Sequence, residues 1–336
     1  MVQSGARNLI TDVAGLRVGH AEDLKVRTGT TVVVADAPFL AVADVRGGAP
    51  GSREIDALEP SNLLCTADAI VLSGGSVHGL DAASGVVAAL RAADRGFRMT
   101  PLAPPAPIVP AAILFDLVNG GDKDWGDESP YRLLGRRAFD SAGTDFALGN
   151  AGAGVGARAG TYKGGLGSAS AVVDDRFTIG ALAAVNSLGS PVMPGTDVFW
   201  AFPFEQNGEF GGRRPAAPSS GDLDLPTDMK RPAAGTNTTI AVVGLDADVS
   251  AVELKRIVIM AADGFARALR PVHTPFDGDI VFGITTGRVP VAEPRARNLM
   301  RLGSIAADCL SRAIARGVYE AETLGEMQSY RTLFRK

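Results

Sequence analysis

Cysteine is scarce: Cys65 and Cys309 are the only two in 336 residues. They lie far apart and form no C-x-x-C pair, so no disulfide framework is expected and a reducing cytoplasm is the default location. Histidine is equally thin, with His20, His78 and His273 alone. None falls in H-E-x-x-H or pairs with a cysteine at ligand spacing, so no metal is expected. His20 and His78 read as ordinary polar residues near turns. No apolar run reaches the roughly 18 residues of a membrane span, and the opening MVQSGARNLITDV lacks the basic-then-apolar build of a signal peptide. No Lys/Arg cluster stands out in a chain of net charge −4 and pI near 5.5, which argues against nucleic acid and anionic membrane as partners. G-x-S-x-G, S-x-x-K and a P-loop lysine are all missing. Their absence removes the α/β-hydrolase elbow, the β-lactamase Ser–Lys pair and nucleotide binding of the P-loop kind. GAGVG at 152–156 is one residue short of a dinucleotide fingerprint.

What is present supports one large α/β domain over 1–336. Hydrophobic residues make up 46% and charged residues 21%, enough for a sizeable core. TGTTVVVAD and AVADVRGG read as strands broken by turns, 67–75 as a short strand and 79–97 as a helix. Residues 107–117 form a candidate strand in which Pro110 disfavours a central, fully paired place. A helix follows at 131–143, then a glycine-rich turn system at 148–160 and a strand pair up to 189. Residues 190–236 carry little periodicity and read as a long, exposed excursion that needs a reason. After it the pattern becomes regular: strand 239–245, helix 250–270, strand 279–287, helix 295–317. Strands and helices mix without strict alternation, which points to layered sheets with outer helices rather than a barrel.

The junction between the two regimes is Asn237-Thr238-Thr239, set directly before Ile240-Ala241-Val242-Val243. One reading is a strand entry with good β propensity. The other is a cut site that leaves Thr238 as a new N-terminus. A hydrolase without histidine or metal can still work if its nucleophile carries its own base. An N-terminal threonine does so, because its α-amine, with a pKa of about 7.7–8.0, can take the hydroxyl proton at neutral pH. On this reading the irregular stretch holds the scissile bond in an accessible loop. Spacing alone leaves both readings open.

NTTIAVV followed by PVHTPFDGDIVFGITTG resembles the self-cleaving family of DmpA-type L-aminopeptidase/D-esterases and NylC-type nylon-oligomer hydrolases. The likeness extends to 10–20, 44–56, 72–86, 152–170 and 181–189, in order, and so covers nearly the whole chain. It implies a four-layer α/β/β/α sandwich, shared in general form with ornithine acetyltransferases, cut once after Asn237 into 1–237 and 238–336. Carried over residue by residue, Thr238 is the nucleophile, Lys163 the active-site lysine and Asn186 the oxyanion donor. Asp277 and Asp279 are the acidic pair, and Tyr131 is a tyrosine near the substrate. The Asn–Thr junction and the Asp-x-Asp pair follow the nylon-hydrolase branch; the aminopeptidase branch uses Gly–Ser and a Ser/Glu pair. The resemblance thus implies a self-processing amide hydrolase needing no cofactor, acting on peptide N-termini or 6-aminohexanoate oligomers, and assembled as a homotetramer. The rival expectations are an acyltransferase of the ornithine acetyltransferase type and an aminopeptidase without nylon-oligomer activity.

Overall fold

The computed structural model describes residues 1–216, 225–231 and 236–334. In chain order, the first half contributes β1 (Val2–Gln3), β2 (Leu16–Asp23), β3 (Thr28–Val45), β4 (Ser52–Arg53), β5 (Thr66–Ser73), helix α1 (Ala82–Ala92), β6 (Ala111–Ile113) and α2 (Tyr131–Asp140). Then come β7 (Arg158–Ala159), β8 (Tyr162–Lys163), β9 (Gly165–Val173) and β10 (Phe177–Asn186). The last part holds β11 (Thr238–Asp248), α3 (Ala251–Ala261), α4 (Asp263–Ala268), β12 (Ile280–Pro290), α5 (Arg295–Tyr319) and α6 (Tyr330–Phe334).

Strand alternation sorts these elements into layers, because successive side chains in a strand point to opposite faces. Leu182, Ala184, Ile240, Val242, Ile280 and Phe282 share one buried cluster with Val33, Ala41, Ile70 and Leu72. Their neighbours Ala181, Ala183, Ala241, Val243 and Val281 instead pack with Leu254, Ile257, Phe265 and Leu310 of α3, α4 and α5. On the far side Val32, Val34, Ala69 and Val71 pack with Val86, Leu90 and Leu134 of α1 and α2. Three apolar clusters therefore separate four layers, helix, strand, strand, helix, as the α/β/β/α expectation requires.

The strands follow the order β1-β9-β10-β11-β12-β3-β5-β6-β4, with β2 also on β3. The two strand layers are continuous through β3. Its first part, from Thr30 to Val34, pairs with β5, whereas Leu40 to Val45 pairs with β12. The two expected strands at this place are thus one long strand with an irregularity between Val34 and Phe39. Pro110 stands just ahead of β6, which is short and lies next to the end of the strand order, as a missing N–H demands.

The excursion differs from its expected form. Val192, Val198, Phe199, Ala201 and Phe210 are all buried against the α5 side of the core. Phe199 meets Phe210 edge to face and lies tilted against Tyr330. Five aromatic and aliphatic anchors spaced irregularly leave no periodic signal, yet each buries its surface. The remaining parts of that reading, 217–224 and 232–235, fall outside the described residues. No helix among the described residues is long and apolar enough to cross a membrane.

Candidate active site

β10 runs antiparallel to β11, and β11 runs parallel to β12. The end of β10 and the starts of β11 and β12 therefore meet at one edge of the layer. Asn186 sits opposite Thr238 in this register, and Asn237 bridges Asp277. The approach to β12 is a tight turn: Thr274 donates to Asp277 Oδ2 from its N–H at 2.9 Å and its hydroxyl at 2.6 Å. The sequence DVRGGAP straps it from outside. The Arg46 and Gly47 N–H groups donate to the Asp279 carbonyl at 2.9 and 3.2 Å, and that of Ala49 to the Asp277 carbonyl at 2.8 Å. Gly278 has to be glycine, since a Cβ there would stand 2.8 Å from Thr238 Oγ1 and 2.7 Å from the Ala49 carbonyl oxygen.

The Thr238 hydroxyl donates to the carbonyl oxygen of Asn237 in a close contact. The same oxygen accepts the Gly278 N–H at 2.8 Å. One residue on, the Thr239 N–H donates to Asp279 Oδ1 at 2.7 Å, and Asp279 Oδ2 faces His273 Nδ1 at 2.9 Å. Asp277 Oδ1 accepts from the Leu188 N–H at 3.3 Å. Asn186 offers Nδ2 to the carbonyls of Phe115 at 3.1 Å and Thr236 at 3.2 Å, while its Oδ1 accepts the Arg158 N–H at 2.9 Å. The Asn237–Thr238 bond is not in an accessible loop: Asn237 is 0% and Thr238 4% exposed. Pairing with the turn at Asp277 and placement at a strand start pull the bond inside. An outside protease would be excluded there, but a neighbouring hydroxyl is not.

Lys163 lies on the β7–β8 hairpin, opposite Arg158. It is wholly buried, and its ammonium donates to the carbonyls of Gly154 at 2.9 Å and Gly164 at 2.6 Å. Asp116 is the opposite charge that acts on it. This aspartate, inside the stretch read only as a strand, accepts from the Thr28 hydroxyl at 2.6 Å and the Gly75 N–H at 2.8 Å. Tyr131 is fully buried at the start of α2, and its hydroxyl contacts Thr28 Oγ1 at 3.3 Å. It therefore reaches Asp116 through Thr28. Thr238, Asn186, Asp277 and Asp279 form one hydrogen-bonded edge, with Lys163 and Tyr131 set around Asp116 beside it. Sequence reasoning passed over Asp116, Lys230, His273 and the Gly278 N–H. A backbone donor has no side-chain signature, and single residues in FDL, DMKR and PVHTP fit no ligand or triad spacing. Among the described residues, no three His, Cys, Asp or Glu side chains converge as metal ligands.

Burial governs the charges here. It raises the carboxyls of Asp277 and Asp116, with the neighbouring charge of Asp279 adding to the first. It pulls the Lys163 ammonium down to about 7, and Lys230 likewise to about 7 with help from Arg158. Unfolded, both lysines keep their protons until about 10.4. Between these limits the unfolded chain binds more protons, so unfolding free energy rises with pH. Melting temperature should therefore climb from pH 7 to pH 9, and climb less in Lys163→Met. Melts recorded across that range check it, and equal slopes in the two proteins would contradict a titrating Lys163.

The layering and the edge of polar strand ends place the molecule in a known class of folds. The solved L-aminopeptidase D-Ala-esterase/amidase of Ochrobactrum anthropi, described as a variant of the Ntn hydrolase fold, superposes with a TM-score of 0.70. It is 22% identical, and the match covers 96% of this chain and 89% of that one. The chain belongs to peptidase family S58, whose model matches residues 8–331, and it is an enzyme that hydrolyses amide bonds. An uncharacterized aminopeptidase of Mycobacterium tuberculosis is 41% identical, over 97% of this chain and 98% of that protein. A 6-aminohexanoate-oligomer endohydrolase of a Kocuria species is 28% identical, over 93% of this chain and 86% of its own.

Proposed function

We propose that this aminopeptidase-type amide hydrolase activates itself by cutting Asn237–Thr238 and then uses Thr238 as its N-terminal nucleophile. One observation carries the reading: the Thr238 hydroxyl and the Gly278 N–H both hydrogen-bond the Asn237 carbonyl oxygen. The hydroxyl thus lies against the bond it would attack, and a fixed donor awaits the charge that develops on that oxygen. Attack of Oγ1 on the Asn237 carbon expels the Thr238 nitrogen, an N→O shift that leaves an ester. The hydroxyl proton passes to that nitrogen, which becomes the free Thr238 amine, and water then splits the ester into the Asn237 carboxylate and the restored Thr238 hydroxyl. In turnover the amine takes the hydroxyl proton, Oγ1 attacks the substrate amide, and the protonated leaving amine departs. Water clears the acyl-enzyme. Asn186 supplies the oxyanion donor for turnover, Asp277 and Asp279 orient the new N-terminus, and Lys163 holds a nearby positive charge. Tyr131 shapes the substrate side through Asp116. The mature enzyme is a cofactor-free cytoplasmic homotetramer.

The substrate class is linear amides bearing a free or nearby amine, which the buried carboxylates can attract. Both short peptides and 6-aminohexanoate oligomers qualify. The higher identity to proteins named aminopeptidases favours peptides as the better substrates. Intact-mass measurement should find fragments 1–237 and 238–336, the second of 336 − 237 = 99 residues and beginning Thr-Thr-Ile-Ala. The processed enzyme is then given amino-acid p-nitroanilides beside free and N-acetylated 6-aminohexanoate oligomers. Anilide cleavage alone would remove the oligomers from its range, and an active but uncut chain would overturn the reading itself.

A further inference from the structure

Asn186 is held at both ends of its carboxamide by the segment that precedes the proposed cut. Lys230 Nζ donates to Asn186 Oδ1 at 3.1 Å and to the Asn186 main-chain carbonyl at 2.9 Å. With the Arg158 N–H also on Oδ1, two donors mark that atom as the oxygen, and the two carbonyls at Nδ2 mark the nitrogen. The amide orientation, which decides whether a donor or an acceptor meets the Thr236 carbonyl ahead of the cut, is thereby set.

Lys230 itself is anchored. Its N–H donates to the Leu188 carbonyl at 3.0 Å, and the Thr161 N–H donates to the Asp228 carbonyl at 2.9 Å. The Asp228 carboxylate accepts from the Ser190 hydroxyl at 2.5 Å and the Tyr162 hydroxyl at 3.1 Å. These contacts seat the segment around Asp228 on the same hairpin and strand end that carry Lys163 and Asn186. Lys230 is half-buried as a residue, with its ammonium end turned inward.

We propose that Lys230 is a positioning residue that locks the Asn186 carboxamide in its reactive orientation, so that the segment ahead of the cut must dock before the cut can occur. This rests on the self-processing reading above. In the uncut chain the oriented Asn186 Nδ2 holds, at 3.2 Å, the carbonyl of Thr236, the residue next to Asn237, and so fixes the backbone that carries the bond to be cut. Cutting after Asn237 then releases that end from its covalent tether to β11. Lys230 stays behind on its Asp228 anchor, and the donor it orients becomes available to substrate.

The test is the rate of self-cleavage, read by intact mass over time on freshly made chains. Lys230→Met should slow it about tenfold to a hundredfold, the loss expected for a hydrogen bond from a charged donor. Lys230→Arg, which keeps charge and donors, should recover most of it. Added to Asn186→Ala, Lys230→Met should slow cleavage by far less than it does alone, because only its bond to the residue-186 main-chain carbonyl is then left to lose. Losses that multiply in the double variant would mean a merely structural lysine and would overturn the proposal. So would Lys230→Met cleaving at the wild-type rate. Melting curves check folding, and Lys230→Gln takes the place of the methionine variant should that one not fold. A wild-type chain that stays whole removes self-processing and this inference together. A wild-type chain that cuts beside an indifferent Lys230 variant removes this inference alone.

Discussion

Thr238→Ala should yield one uncut chain of 336 residues without turnover. In the proposed mechanism a single oxygen serves both reactions, so its loss cannot be divided between them. The structure adds a reason to expect no by-pass. The Asn237–Thr238 bond is buried, and the Thr238 hydroxyl is in hydrogen-bond contact with its carbonyl oxygen. Hydrolysis by bulk water or a contaminating protease would need the turn at Asp277 to open. Thr238→Ser keeps a hydroxyl at the same place and should retain part of both activities. Gel analysis and an amide assay on the same preparations decide the matter. Turnover by the alanine variant would mean that another group is the nucleophile.

Asn186→Ala carries the second large effect. Removing one oxyanion donor costs on the order of 10²–10³ in kcat, with little change in KM when the donor acts in the transition state. In the uncut chain the carboxamide is held at four points, Oδ1 by the Arg158 N–H and Lys230 and Nδ2 by the carbonyls of Phe115 and Thr236, so the donor the proposal needs is the one that the Thr236 carbonyl gives up after the cut. A kcat within about threefold of wild type would show that the Gly278 N–H suffices. Steady-state rates on whatever fraction is cut give the answer directly.

Thr238 drew notice because it opens the apolar run IAVV after an irregular stretch, but spacing left both a strand entry and a cut site open, and only the family resemblance chose between them. Asn186, at the end of ALAAV, came from the resemblance alone. The registers of β10 and β11 then place them opposite each other. Layered sheets with outer helices followed from strands and helices that mix without strict alternation, and the four-layer order from the resemblance. ALAAV and IAVVGL are apolar throughout, and only the structure shows which residues face helices and which the second sheet. Other parts depend on contacts across long separations. Nothing in TGTTVVVADAPFLAVADV says that one strand serves both layers. Asp116 lies in a run that reads as a strand, and its meaning arises from Thr28 and Gly75, far off in the chain. Lys230 lies in a stretch without period, where only the docking of Asp228 on Ser190 and Tyr162 gives it a place. The buried state of Asn237 was hidden for the same reason, because it comes from a bridge to Asp277 forty positions later.

The position of β11 and β12 between β10 and β3 bears on the timing of activation. The fragment that would begin at Thr238 supplies two adjacent interior strands, flanked as a pair by β10 and β3 of the larger piece. Neither can be laid down last at a free margin. A chain that mispairs there leaves Thr238 away from Asn186 and Gly278 and so has no means of switching itself on. Under the proposed self-processing, completion of the fold becomes the licence for the chemistry, and an incomplete molecule remains a silent precursor. The same arrangement makes the two pieces inseparable in practice, because withdrawing the smaller one would tear the sheet along both of its seams.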